Sequence, residues 1–146
     1  MKSRIDKIQT LVELARIEED KSAKTVAELQ GQHQQHLQQL DMLQSYVSEY
    51  SQVTLSADRP VQPIQILSTQ AFVAKLHSAI DAEQKQVDSL AEMVEQARQA
   101  WFSKRSRVKA LEKLLQKIKQ NKQAWLDKQE QHFLDELSSQ NFNRKS

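Results

Sequence analysis

Starting at Ile5 and stepping alternately by three and four residues, the chain meets Ile5, Ile8, Val12, Ala15, Glu19, Ser22, Val26, Leu29, His33, His36, Leu40, Leu43, Val47 and Tyr50. The alternation never slips. An apolar repeat averaging 3.5 residues is the pattern of an α-helix that shares a seam with another helix and supercoils around it. Val12, Val26, Leu40 and Val47 take the a positions, and Ile8, Leu29, Leu43 and Tyr50 the d positions. A second series runs Thr69, Val73, Leu76, Ile80, Glu83, Val87, Leu90, Val94, Ala97, Trp101, Lys104, Val108, Leu111, Leu115, Ile118, Lys122 and Trp125. One glycine and two prolines in 146 residues leave little to interrupt either helix. Gly31 falls at an outer f position, where it opens no hole in the seam.

Pro60 and Pro63 mark the one credible break, because each disfavours helix at the residue before it. The chain therefore reads as all-α: two long helices in a single antiparallel coiled-coil hairpin, over the whole of 1–146. The expected bounds are a helix at about 3–54, a loop at about 55–63, a second helix at about 64–138 and a frayed tail at 139–146. Helix two extends beyond helix one, which leaves Trp125, Leu126, Phe133, Leu134 and Leu137 without cover from within the chain.

An antiparallel pair sets an a residue of one strand against a d residue of the other. The favoured register places Glu19 with Lys104, Ser22 with Trp101, Val12 with Leu111 and Ile8 with Leu115. A register one heptad shorter sets Val12 against Lys104 and Glu19 against Ala97, leaving both charges unpaired in the seam.

Catalysis has little to stand on. There is no glycine-rich phosphate loop, and carboxylates on a two-stranded coil are mostly solvated. His33 and His36 lie three apart on the seam, but no cysteine or carboxylate cluster completes a metal site, and no cofactor or small-molecule substrate is expected. They read instead as poorly tolerated seam residues forming a soft spot. No apolar stretch is long enough to cross a membrane, and MKSRIDKIQT lacks the apolar core of a signal peptide, so a cytoplasmic location is expected.

From Arg98 to Lys122 there are nine basic residues and one acid, Glu112. Nucleic acid is one class of partner for such a stretch. Part of the charge is answered by Glu13, Glu18, Glu19 and Asp20, which the register brings alongside. The surplus fits an acidic protein surface better, and no nucleic acid is expected.

The aromatic residues are more specific. Gln39 and Tyr46 are g residues beside Leu43 and Tyr50 at d; Phe72 and Ala79 are g residues beside Leu76 and Glu83 at d. The two g flanks of an antiparallel pair lie on one side. Tyr46, Tyr50, Phe72 and Leu76 thus converge on one face near the loop, and half-covered aromatics there mark a binding surface.

Tyr46-Val-Ser-Glu-Tyr50, the proline-bearing loop, the run from Gln70 through Phe72 and Leu76 to Ile80, Trp101-Phe-Ser-Lys104 and Leu111-Glu-Lys-Leu114 together resemble the FliJ family. These are coiled-coil components of the bacterial flagellar type III export apparatus. The resemblance spans nearly the whole chain. It implies a stalk-like, non-enzymatic protein, cytoplasmic and peripherally associated with the inner membrane at the flagellar base. The implied partners are the hexameric export ATPase, met through the end carrying both termini, the cytoplasmic part of the membrane export gate, and export chaperones. The implied gate surface is Gln39, Leu43, Tyr46, Tyr50, Phe72, Leu76, Ala79 and Glu83; position 83 is glutamate where the family pattern leads one to expect histidine. For the ATPase end, the uncovered stripe and its basic border nominate Lys113, Lys117, Lys122, Trp125 and Phe133. The rival readings are the stalk of a virulence type III secretion system and a nucleic-acid-binding coil.

Overall fold

The computed structural model describes residues 3–55 and 63–144, with side chains for 3–52 and 63–143. It contains two α-helices, α1 (Arg4–Leu55) and α2 (Pro63–Arg144), and no strand among the described residues. The fold is thus all-α, a helical hairpin with the second helix the longer.

Local chemistry accounts for the helix starts. Ser3 caps α1: its Oγ accepts a hydrogen bond from the Asp6 N–H at 3.2 Å, and its carbonyl accepts one from the Lys7 N–H at 3.1 Å. The Asp6 N–H is one of the first-turn donors that have no partner within the helix, and the Lys7 bond to the Ser3 carbonyl is the first of the regular helical series. Asp6 adds negative charge at the positive end of the helix dipole. Pro63 opens α2, where its missing N–H costs nothing and its fixed φ suits a helix. The expected loop, with Pro60, lies outside the described residues between Leu55 and Pro63.

The far end of α2 differs from expectation. Helix continues to Arg144 rather than stopping near 138. The segment Ser138-Ser-Gln-Asn-Phe-Asn-Arg144 contains indifferent helix formers but neither glycine nor proline, so nothing in it ends the helix. Residues 145 and 146 lie outside the described residues.

Burial follows the two heptad series closely. Every member of the first series from Ile5 to Val47 is buried or half-buried, and so is every member of the second from Thr69 to Trp101. Ile8, Val12, Ala15, Leu40, Val87, Leu90 and Val108 form the core. Among the described residues, only Gln9, Leu37 and Glu112 are half-buried away from the seam positions, and all three sit at e, beside the seam. Burying an aliphatic side chain in such a layer contributes about 1.5–3 kcal/mol.

Contacts gather into two compact units, one from the residues up to Asp20 and from Phe102 onward, the other Lys21–Trp101. Each unit is antiparallel. In the first, Arg16 at e meets Glu112 at e through Nε (3.2 Å) and Nη2 (2.9 Å), both on Oε1. Lys104 Nζ donates to Glu18 Oε2 at 3.1 Å. Both ion pairs are largely exposed and contribute about 0–1 kcal/mol each. Lys104 thus pairs with Glu18 at the flanking g position, whereas the sequence reading paired it with Glu19. The cause is desolvation: a lysine with a d-position backbone keeps its ammonium in water by leaning out of the seam. Glu19 itself is half-buried. In the second unit Ser22 and Trp101 are both half-buried.

Gly31 is exposed, has no positive φ, and a Cβ built on it meets nothing within 4 Å. Gly31→Ala is expected to stabilise the helix by about 1 kcal/mol, because only helix propensity changes. Thermal unfolding followed by circular dichroism should show a Tm roughly 2–4 °C higher; an unchanged or lower Tm means the site does more than span the helix.

Candidate partner-binding surfaces

In the Lys21–Trp101 unit, α1 and α2 bring the aromatic g and d residues together. The Tyr50 and Phe72 rings stack obliquely, with centroids 4.8 Å apart and planes at 50°. A pair at that spacing contributes about 0.5–1.5 kcal/mol beyond its buried area. Yet each ring keeps 42% of its surface exposed, and Tyr46 keeps 44%. A two-stranded coil has no third element to cover them.

Gln39, Met42, Leu43, Tyr46 and Glu83 line a shallow groove of 250 Å³ on this unit. Leu43, Leu76 and Glu83 are half-buried, while Gln39 and Ala79 are exposed. A second groove, of 510 Å³, is lined by Tyr50, Ser51, Thr69, Gln70, Val73, Ala74 and His77. Tyr50 therefore borders this second groove while its ring rests on Phe72.

Glu83 is held in place by a side chain that sequence reasoning had set aside. Its Oε1 lies within hydrogen-bonding distance of His36 Nδ1, with both side chains partly buried. The contact joins a d residue of each helix across neighbouring layers, so pairing residues layer by layer does not reveal it. His36 is thus a polar link in the seam beside the groove. His33 is half-buried one turn earlier. Among the described residues, no group of three or more His, Asp or Glu is placed to hold a metal.

Met42 is the other groove residue missed from sequence. It is 54% exposed and lies at c, outside the a, d and g positions that the wheel argument weighed. Its signal was available: a large apolar side chain on the outward side of a coil, one turn before Tyr46.

The first unit carries the second candidate surface. The buried series ends at Ile118, and every side chain from Lys119 to Asn143 is exposed. Trp125 (59%) and Phe133 (61%) stand open here, as do Leu126, Leu134 and Leu137. Lys113, Lys117 and Lys122 are exposed on the same helix. Where α1 still covers α2, Gln9, Val12, Glu13, Arg16, Glu112 and Leu115 border a groove that runs on to Lys119, Gln120 and Gln123. No helix among the described residues is long and apolar enough to cross a membrane.

Comparison with known proteins identifies the family. The chain is 28% identical over 132 residues to the flagellar FliJ protein of Salmonella typhi, an alignment covering 90% of each chain. No solved structure gives a significant match. The family profile described as the flagellar FliJ protein matches residues 3–146, nearly the full length. The chain belongs to the FliJ family of flagellar proteins.

Proposed function

We propose that this protein is a non-enzymatic coupling component of the flagellar type III export apparatus. It binds the hexameric export ATPase through the exposed end of α2 and the cytoplasmic part of the membrane export gate through the aromatic face, and it escorts export chaperones. It works in the cytoplasm, at the inner membrane beneath the flagellum. The observation that carries this reading is the full-length family match on a chain with an open apolar surface in each of its two units. Large exposed aromatics kept on a narrow coil have a use only if a partner covers them.

In this scheme the gate surface comprises Gln39, Leu43, Tyr46, Tyr50, Phe72, Leu76, Ala79 and Glu83, with the Tyr50–Phe72 pair as its anchor. The ATPase surface comprises Lys113, Lys117, Lys122, Trp125 and Phe133. Lysines around an apolar stripe speed encounter with an acidic surface, and the stripe then sets the lifetime of the complex.

The test is retention of the full-length chain on two separate baits, the purified export ATPase and the soluble part of the gate. Both should retain it, and association with the ATPase should slow as salt rises from 0.05 to about 0.5 M. Retention by neither bait, together with a shift of duplex DNA or RNA, removes the export reading and leaves the nucleic-acid coil.

A further inference from the structure

The unit formed by the residues up to Asp20 and from Phe102 onward has two unlike sides. Arg16 and Glu112 meet on the e side, and Lys104 meets Glu18 on the g side. At the b positions next to e lie Asp6, Glu13 and Asp20 of α1, with Arg105 and Lys109 of α2 on the same side. The g side has another composition. On α1 it carries Arg4, Lys7, Leu11, Leu14 and Glu18, spaced three and four apart. On α2 it carries Ser103, Arg107, Ala110, Leu114 and Lys117, with the same spacing. Glu18 is the one acid at these positions, and Lys104 already answers it. Arg4, Lys7, Arg107 and Lys117 are exposed, and none makes an ion pair among the described residues.

Apolar side chains stand open at the centre of this side. Leu11 is 44% exposed, Leu14 55% and Leu114 41%, and Ile17 (51%) lies next to Leu14 at f. The two ion pairs set α1 at 16–18 beside α2 at 104–112, so Leu11 comes level with Leu114. Lys7 and Lys117 then lie past the leucines at one end, and Arg107 at the other.

We propose that this side of the coil lies directly on a bilayer surface bearing anionic phospholipid headgroups. The leucines enter the headgroup layer, and the four cations lay their aliphatic stems around them and reach phosphates. Charge selects an anionic partner for this side and not for the other, where carboxylates stand among the cations. Shape selects the bilayer among anionic partners. The apolar residues run from g through c to f, around the outside of α1, so they form a convex ridge rather than a groove. Such a ridge is covered by a surface that yields around it. Protein partners are gripped chiefly through aromatic and arginine anchors set in pockets, and this ridge holds no aromatic. The contact goes beyond the export reading, which brings the chain to the membrane only through other proteins.

The full-length chain is sedimented with vesicles of phosphatidylcholine alone and with vesicles containing about one-quarter phosphatidylglycerol, at about 0.1 M salt. It should pellet with the anionic vesicles and stay in solution with the neutral ones. Arg107→Glu should weaken binding roughly tenfold, because attraction becomes repulsion. Lys109→Glu is the same change of charge on the other side and should weaken it less than about threefold. Leu11→Gln with Leu14→Gln should weaken it roughly tenfold. Both leucines are exposed, so the seam stays intact.

The chain has no cysteine, so a single one can carry a probe. A polarity-sensitive fluorophore at Leu14→Cys should shift to the blue on anionic vesicles, and one at Gln116→Cys, on the other side, should not. Absence from the anionic pellet overturns the proposal. So do equal losses in Arg107→Glu and Lys109→Glu, unchanged binding of the leucine pair, or a blue shift at Gln116→Cys in place of Leu14→Cys. Retardation of duplex DNA without vesicle binding makes nucleic acid the occupant instead. Retention on the ATPase and on the gate is measured without lipid, so the export reading stands or falls separately.

Discussion

Truncation after Lys122 is expected to abolish binding to the export ATPase while leaving a folded helical protein. The removed residues contribute nothing to the packed seam. Ile118 is the last half-buried residue of α2, and everything from Lys119 to Asn143 is exposed. Within the removed segment Gln123 Nε2 donates to Asp127 Oδ1 at 3.1 Å, a contact that leaves with it. Helix content should therefore fall only by the residues lost, and Tm should move little. Binding should fall at least a hundredfold, because Trp125 and Phe133 leave together and each anchor of this kind contributes about 2 kcal/mol or more. Lys109, Lys113 and Lys117 remain in the truncated chain, so residual association should be fast, brief and erased by salt. Full-strength binding of the truncated protein would falsify the assignment of the ATPase contact to this end.

The second large effect is expected at the aromatic face. Replacing Tyr46, Tyr50 and Phe72 together by alanine should cost the gate interaction at least a hundredfold and leave cells poorly motile. Each ring is less than half exposed and more than one-third open, so each has surface left for a partner to bury. Some stability is lost as well, because the Tyr50–Phe72 contact goes. The layers around Leu40, Val87 and Leu90 keep the helices paired. Phe102→Ala is the control. Phe102 is 64% exposed but lies in the other unit, and its loss should leave gate binding intact. Normal motility and gate binding in the triple variant would make the cluster a brace of the hairpin and nothing more.

How far the sequence speaks depends on which layer of structure is asked about. The heptad is a statement about helix geometry, so it carries over almost directly to burial. From Ile5 to Val47 and from Thr69 to Trp101 each seam position is withdrawn from water. The exceptions have particular causes. Tyr50 rests on a g residue of the other helix and stays partly open. Lys104 leans out toward Glu18. Lys122 and Trp125 lie past the point where α1 can reach. Contacts that step between layers were not legible, because spacing assigns a residue to a layer and says nothing about a long side chain reaching the next one. His36 with Glu83 and Arg16 with Glu112 are both of this kind. The helix stop near 138 was misplaced because the chain end was expected to fray, whereas α2 runs on to Arg144. The candidate surfaces were legible as uncovered positions; the groove-lining Met42 was not, since the wheel argument looked only next to the seam.

The cross-helix contacts also differ in how much chain they enclose. His36 and Glu83 are 47 residues apart, whereas Arg16 and Glu112 are 96 apart. Doubling a loop adds about 0.6 kcal/mol of closure entropy when each contact must form unaided. Formed in sequence, the inner contacts shorten the search for the outer ones, so the helices close from the middle of the chain outward. The segment between Lys21 and Trp101 is then the first to be held and the last to be released. The stretch that ends in the uncovered part of α2 is the last to close, and its earliest openings cost the least free energy. A partner arriving there meets the portion of the molecule most easily reshaped without unfolding the rest.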